Sequence, residues 1–248
     1  MFSLCIPTMD RYDTFLKTSL SKYINNENID EIIISDENGN DAIKIQQDFP
    51  NNKKIKININ QHKLGPFLNK MTCCKMAKNE WIVLIDSDNF ADENYFNVGK
   101  NFIECNRDKI QKNSILAPCW AQPNFNYTNL SNICINKTNL KQYAADQSGY
   151  TGLTTLMNTG NYIINKYLIS NINLNLNDDI ELIENSSACD VILFNTLLLE
   201  QLDLQIYIVP NLVYSHVVHG GSVYSTTVSH TRNYVDKVHS RYYNLYKT

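Results

Sequence analysis

Apolar residues fall along the first part of the chain in two alternating rhythms. Phe2–Pro7 is a short apolar run that reads as a strand, and Tyr12–Tyr23 then carries Phe15, Leu16, Leu20 and Tyr23 at helical spacing. Ile29–Ser35 is a second strand, closed by the polar cluster Asp36-Glu37-Asn38-Gly39-Asn40, a turn by composition. Ala42–Phe49 reads as a helix ended by Pro50. Ile55–Ile59 alternates with period two, the pattern of a strand with one face turned inward. Gly65-Pro66 then opens a helix to about Lys78, with Pro in its favoured first turn. Trp81–Ile85 is continuously apolar, as expected of a parallel strand covered on both faces. Strand and helix alternating in this way predict an open, mostly parallel α/β sheet.

Past Asp88 the alternation loosens. Tyr95–Cys105 reads as a helix and Ser114–Pro118 as a strand. Residues 119–152 are polar, aromatic and weakly periodic, which suggests loops over a binding face or a small antiparallel element. Asn158–Ile169 is a turn followed by an apolar segment. Asp190–Leu202 is a helix pattern, and Gln205–Val209 a strand stopped by Pro210. In the tail Thr231–Tyr246, the residues Val235, Val238, Tyr242 and Leu245 share one helical stripe that packs back on the body. With no repeat or linker in view, 248 residues make one domain.

Composition narrows the classes. A net charge of −3 without a basic block argues against nucleic acid as a partner. No apolar stretch approaches the ~18–20 residues of a transmembrane span, and the N-terminus lacks the basic start of a signal peptide. Seven scattered cysteines without a C-x-x-C pair fit a reduced, cytoplasmic compartment, with Cys73 and Cys74 packing as small hydrophobes.

The chemistry gathers at strand ends. Ligands of an open parallel sheet sit beyond the carboxyl ends of its strands, where Thr8-Met9-Asp10-Arg11, Asp36 and Asp86-Ser87-Asp88 all lie in this reading. Residues i and i+2 of extended backbone project to one side, so Asp86 and Asp88 can face one ligand together. Either they cap a turn, as Asp commonly does, or they hold a hard cation shared with substrate phosphates.

The ordered series Ile6-Pro7-Thr8-Met9-Asp10-Arg11, Asp36, the Asn60–Asn69 loop with Gly65, and Asp86-Ser87-Asp88 resembles the GT-A glycosyltransferases. Among them it is most similar to the inverting enzymes of family two. The resemblance covers residues 2–95 in good order and 158–222 more loosely. It implies a GT-A fold: a nucleotide-sugar-binding half over 1–95, an acceptor-binding half over 96–222, and a C-terminal helix over 223–248. It implies donor contacts from Pro7, Thr8, Asp10, Arg11, Asp36 (to the nucleobase), Gly65, Asn69, Asp86 and Ser87. Asp88 would bind Mn²⁺ or Mg²⁺ at the diphosphate, with His219 of His219-Gly220-Gly221-Ser222 completing the shell and His216 as second choice. Thr159 and Gly160 would border the acceptor. Asp190 would be the general base, although Cys189 stands where the family usually has Glu, and capping of its helix is the plain alternative. The implied activity is inverting hexosyl or deoxyhexosyl transfer from a nucleoside-diphosphate sugar to a glycan, protein or lipid-linked sugar acceptor. UDP is favoured, with GDP or dTDP open.

Two other readings stay beside it. A non-catalytic module of the same fold would bind a nucleotide or glycan without turnover, and the Cys189 departure is its support. A phosphotransferase of the haloacid dehalogenase type also uses D-x-D, but on its first strand and followed by Thr or Val where Phe90 stands here. A sugar-nucleotide pyrophosphorylase would open with a glycine-rich phosphate loop, which Ile6–Thr14 lacks.

Overall fold

The computed structural model describes residues 1–144, 152–174 and 176–247; the side chains of 144, 176–178 and 246 lie outside that description. The part of the 119–152 stretch that falls on 145–151 therefore lies outside the described residues, as does the Asp178 side chain.

The amino-terminal half follows the apolar rhythm. β1 (Phe2–Thr8) leads to one turn of π-helix (Tyr12–Leu16) that runs on into α1 (Lys17–Asn25). β2 (Ile29–Asp36), α2 (Asn40–Asp48), β3 (Ile55–Ile59), α3 (Gly65–Lys75) and β4 (Trp81–Leu84) follow. β1 to β4 are mutually parallel in the order β3-β2-β1-β4. Their side chains alternate between two cores. Phe2, Leu4, Ile6, Ile32 and Ile34 pack on one face, where Tyr12, Leu16 and Leu20 cover them. Cys5, Ile33, Ile82 and Leu84 pack on the other, under Phe67, Met71 and Cys74 of α3. None of the seven cysteines is in a disulfide, and Cys73 and Cys74 are buried in that second core.

The second half adds α4 (Glu93–Cys105), β5 (Ser114–Gln122), β6 (Phe125–Asn126), β7 (Cys134–Ile135), α5 (Leu140–Ala144) and α6 (Leu153–Thr159). Then come β8 (Ile163–Asn165), α7 (Lys166–Asn171), α8 (Leu176–Asn185), α9 (Asp190–Gln201), β9 (Gln205–Ser215), α10 (Val223–Thr227) and α11 (Arg232–Lys247). Among the described residues the sheet continues β4-β8-β5-β9-β7, with β6 on β5. Short β8 is antiparallel to both its neighbours and joins the parallel half to the β5–β9 pair.

Three expectations change here. β9 does not stop at Pro210 but runs to Ser215, because the ladder with β5 shifts register between Pro118 and Trp120 and Asn211 takes a left-handed φ of 62°. A bulge of this kind accommodates a proline that a regular central strand would reject. The acid-rich run Asp178, Asp179, Glu181 and Glu184, which composition alone suggests is a solvated loop, lies on helix α8, where Asp179 pairs with Arg241 of α11. The tail holds the short helix α10 as well as α11, which buries Val238 and Tyr242. No described helix is long and apolar enough to cross a membrane.

Candidate active site

A cleft of about 1000 Å³ opens beyond the carboxyl ends of β1 and β4. Four segments build its donor-side wall. The first is the turn after β1, which supplies Pro7, Thr8 and Arg11. It is shaped by Asp41 of α2, 1% exposed, whose carboxylate accepts from Thr8 Oγ1 and from the backbone N–H of Arg11 and Tyr12 at 3.0 and 2.9 Å. Asp10, at a left-handed φ of 56°, points elsewhere: it is exposed and accepts from the amides of Asn38 and Asn40 at 2.9 and 2.7 Å.

Asp36 does not line the cleft. It is fully buried, and its carboxylate accepts the N–H of Ala42 at 2.8 Å and of Asn38 at 3.3 Å, closing the start of α2. The next residue, Glu37, lines the cleft instead, and its Oε2 accepts from Leu64 N at 2.8 Å. That bond holds the loop leading to Gly65, which needs its positive φ of 78° to start α3. Asn69, one turn on, also faces the cleft, donates to Ser35 O at 3.1 Å and accepts from Asn60 at 3.0 Å.

Asp86, Ser87 and Asp88 form the turn after β4, and all three line the cleft. Asn161, 1% exposed and at φ 59°, fixes the turn by accepting the Asp86 N–H at 2.7 Å. The two aspartates then take different partners. Asp86 Oδ1 lies 3.1 Å from Lys70 Nζ, whereas Asp88 Oδ2 lies 3.0 Å from His219 Nε2. The His219 ring rests beside Phe15 at 5.1 Å, and Arg11 donates to Gly221 O at 2.6 Å, so the 219–221 segment is tied to the β1 turn. His216 itself lines the cleft, whereas His219 reaches it through Asp88; the His216 ring stands edge-on to Phe125 at 4.9 Å and meets Tyr214 at 3.4 Å. Burial lowers its pKa.

The opposite wall comes from α6 and α9. Asp190 opens α9, yet its carboxylate makes no cap across the helix end; it accepts from Lys70 Nζ at 2.7 Å. Burial raises its pKa, Lys70 opposes that shift, and the Asp86 charge adds to it. Cys189 beside it is buried, which pushes its thiol up to about 12, so it stays neutral. Thr159 lines the cleft and is hydrogen-bonded to Tyr127. Gly160 lies just beneath at φ 69°, where a Cβ would come 3.1 Å from Val191 Cγ2 and 4.0 Å from Asp86 Oδ2.

Lys70, Asp41, Glu37 and Asn161 were not anticipated from the sequence. Lys70 had a signal: it interrupts the buried stripe Phe67, Met71, Cys74 of α3, where a cation needs partners.

The order of these parts matches a known family: the model of "Glycosyl transferase family 2" matches residues 3–163. The chain belongs to that family. Its membership sets aside the dehalogenase-type phosphotransferase, in which D-x-D would lie on the first strand. Among solved structures, residues 1–349 of TarS from S. aureus match with a TM-score of 0.60 at 14% identity, over 98% of this chain and 71% of that one. The same TarS segment in complex with UDP-GlcNAc matches at 0.63 and 14%, over 97% and 66%. The longer TarS structure matches at 0.61 and 12%, this chain spanning 43% of it. Likeness at such identity establishes the shared GT-A fold. No sequence among the curated proteins matches this family 2 chain.

Proposed function

We propose that this family 2 glycosyltransferase moves a sugar, with inversion, from a nucleoside-diphosphate donor to an acceptor hydroxyl, with Asp190 as general base. The observation that carries this reading is the placement of two acid systems in one cleft. Asp88 meets His219 on the donor side, and Asp190 stands across from it, joined to Asp86 through Lys70. UDP is the favoured nucleotide, supported by TarS structures solved with UDP-GlcNAc and with UDP.

A divalent cation fits the donor side in a particular way. Among the described residues no group of three metal-ligating side chains comes together, but Mg²⁺ and Mn²⁺ are commonly held by one or two carboxylates plus substrate phosphates. Asp88 and His219 would supply the protein's share, with Asp86 and Ser87 on the donor beside them. Bound there, the cation would stabilise charge on the departing diphosphate.

In the transfer itself, the acceptor oxygen forms its bond to the anomeric carbon while that carbon's bond to the diphosphate oxygen breaks. The hydroxyl proton passes to the Asp190 carboxylate, and the nucleoside diphosphate leaves with the bonding pair. Burial makes Asp190 a stronger base than an exposed aspartate, while Lys70 keeps it ionised. Thr159 and Gly160 border the acceptor, which would be a glycan, a protein side chain or a lipid-linked sugar.

A panel of UDP-, GDP- and dTDP-sugars assayed for nucleoside diphosphate release tests the reading. Release is expected to need Mn²⁺ or Mg²⁺, to vanish with a chelator, and to fall at least about 100-fold in Asp88→Ala and in Asp190→Asn. Asp190→Asn should still bind the nucleotide. Near-normal transfer by Asp190→Asn would remove the base assignment, and failure of every sugar nucleotide to bind would remove the whole reading. A binding module without turnover is the second reading. It rests on Cys189, a neutral buried thiol where the resemblance calls for Glu, and it requires binding without release.

A further inference from the structure

Lys70 occupies a position where a cation is costly unless it is used. It lies in the apolar stripe of α3 between Phe67, Met71 and Cys74, on the floor of the cleft. Its side chain is 16% exposed, and its ammonium meets Asp86 Oδ1 at 3.1 Å and Asp190 Oδ2 at 2.7 Å. A hydrocarbon of similar volume would fill the stripe without any desolvation cost. The two carboxylates come from different parts of the fold: one from the turn after β4, the other from the first residue of α9. Among the described residues, no other cationic side chain pairs with either carboxylate. Glu184 of α8 and His239 of α11 line the same cleft, and neither is bonded to Asp190. Without Lys70, two like charges would share a poorly solvated floor.

We propose that Lys70 is the positioning residue that holds Asp190 against the donor-side Asp86, and so sets the pH range over which Asp190 accepts the acceptor's proton. The inference rests on the reading of Asp190 as the base. The ammonium favours the ionised carboxylate, while burial and the Asp86 charge favour the protonated one. Removing the ammonium leaves that second pair opposed only by the weaker backbone bond at the head of α9, so the base becomes protonated at higher pH. The acid limb of the rate profile must then move up. A merely structural tie would lower the amount of folded protein without moving the limb.

The test is the pH profile of kcat/KM for nucleoside diphosphate release in the full chain, for the wild type, Lys70→Gln and Lys70→Arg, with Asp190→Asn beside them. Lys70→Gln is expected to lose at least about tenfold at neutral pH and to shift its acid limb upward by about one unit or more. Lys70→Arg, which keeps the cation, is expected to hold the limb within about 0.3 unit of the wild type. A Lys70→Gln limb that coincides with the wild type's overturns the inference while Asp190→Asn remains inactive, leaving the base intact. If Lys70→Gln loses its cooperative melt and its UDP binding, Lys70→Arg decides: a limb displaced by a unit despite the retained cation overturns it. Should Asp190→Asn transfer at a near wild-type rate, the base reading fails first and this inference falls with it.

Discussion

Glu31, at the opposite end of the strands from the cleft, accepts bonds from three directions. Ser3 Oγ of β1 donates at 2.6 Å and Lys78 N after α3 at 2.6 Å, and Lys56 of β3 forms an ion pair. Burial alone would raise its pKa, but the bonds from Lys56, Ser3 and Lys78 outweigh it and hold the carboxyl below its ordinary value. A carboxyl lowered on folding stabilises the protein above its unfolded pKa of about 4.3 and loses that contribution as pH falls through the folded value. Glu31→Gln should therefore cost about 1–3 kcal/mol at pH 7, and the gap to the wild type should narrow below about pH 4. Urea unfolding at the two pH values checks it, and a gap independent of pH would contradict it. Gly160 carries a different constraint. Its φ of 69° and ψ of −154° are open essentially to glycine alone, and a Cβ would press on Val191, the residue after the proposed base. Gly160→Ala is expected to cost about 1–3 kcal/mol and to lower kcat more than donor binding. Steady-state kinetics with a UDP titration separates the two.

Helix α4 packs on the sheet through Gly99, where an added Cβ would lie 2.2 Å from Ile163 Cδ1 of β8. Gly99→Ala gains about 1 kcal/mol of helix propensity but drives Ile163 off its rotamer in a filled core, at about 1–3 kcal/mol. The net effect should be destabilising, and Ile163→Val, which deletes the clashing methyl, should turn Gly99→Ala neutral or stabilising. A double-mutant cycle measured by thermal unfolding checks the sign. The same contact explains what the apolar pattern could and could not reveal. β1, β2, β4 and α9 stand out because they are buried on nearly every side and so read as continuous apolar runs. β8 is three residues long, too short for any period, yet alone among the described strands it runs against both its neighbours, β4 and β5. α6 and α8 are short helices among Thr, Asn and Asp, whose side chains compete with the helix backbone and so read as loop. Pro210 read as a stop because the bulge that admits it belongs to the partner strand as much as to β9.

Across the whole molecule, motif order was legible and pairing was not. The turn after β4 could be located from its apolar strand, but the separate partners of Asp86 and Asp88 depend on α3 and on the segment near residue 219. Asp36 and Glu37 show the same limit: which of two adjacent acids faces the cleft is decided by where α2 begins. The second half is held together by Arg241 of α11, which grips Glu200 of α9 with two nitrogens at 2.9 and 2.8 Å and reaches Asp179 of α8 at 2.6 Å. Arg241→Ala should lower stability by about 1–3 kcal/mol, seen as a lower denaturation midpoint at unchanged slope. Activity per folded molecule should stay near that of the wild type, because Glu200 lies in the last turn of α9 and Asp190 in its first. The bonds that close the cleft are among the longest in sequence: 120 residues separate Lys70 from Asp190, 131 separate Asp88 from His219, and 210 separate Arg11 from Gly221. Contacts of that span cannot form until residues 190, 219 and 221 have left the ribosome. A nascent chain can thus pair its first four strands while Lys70 still waits for its second carboxylate, and the cleft is closed only after the segment near residue 219 has followed.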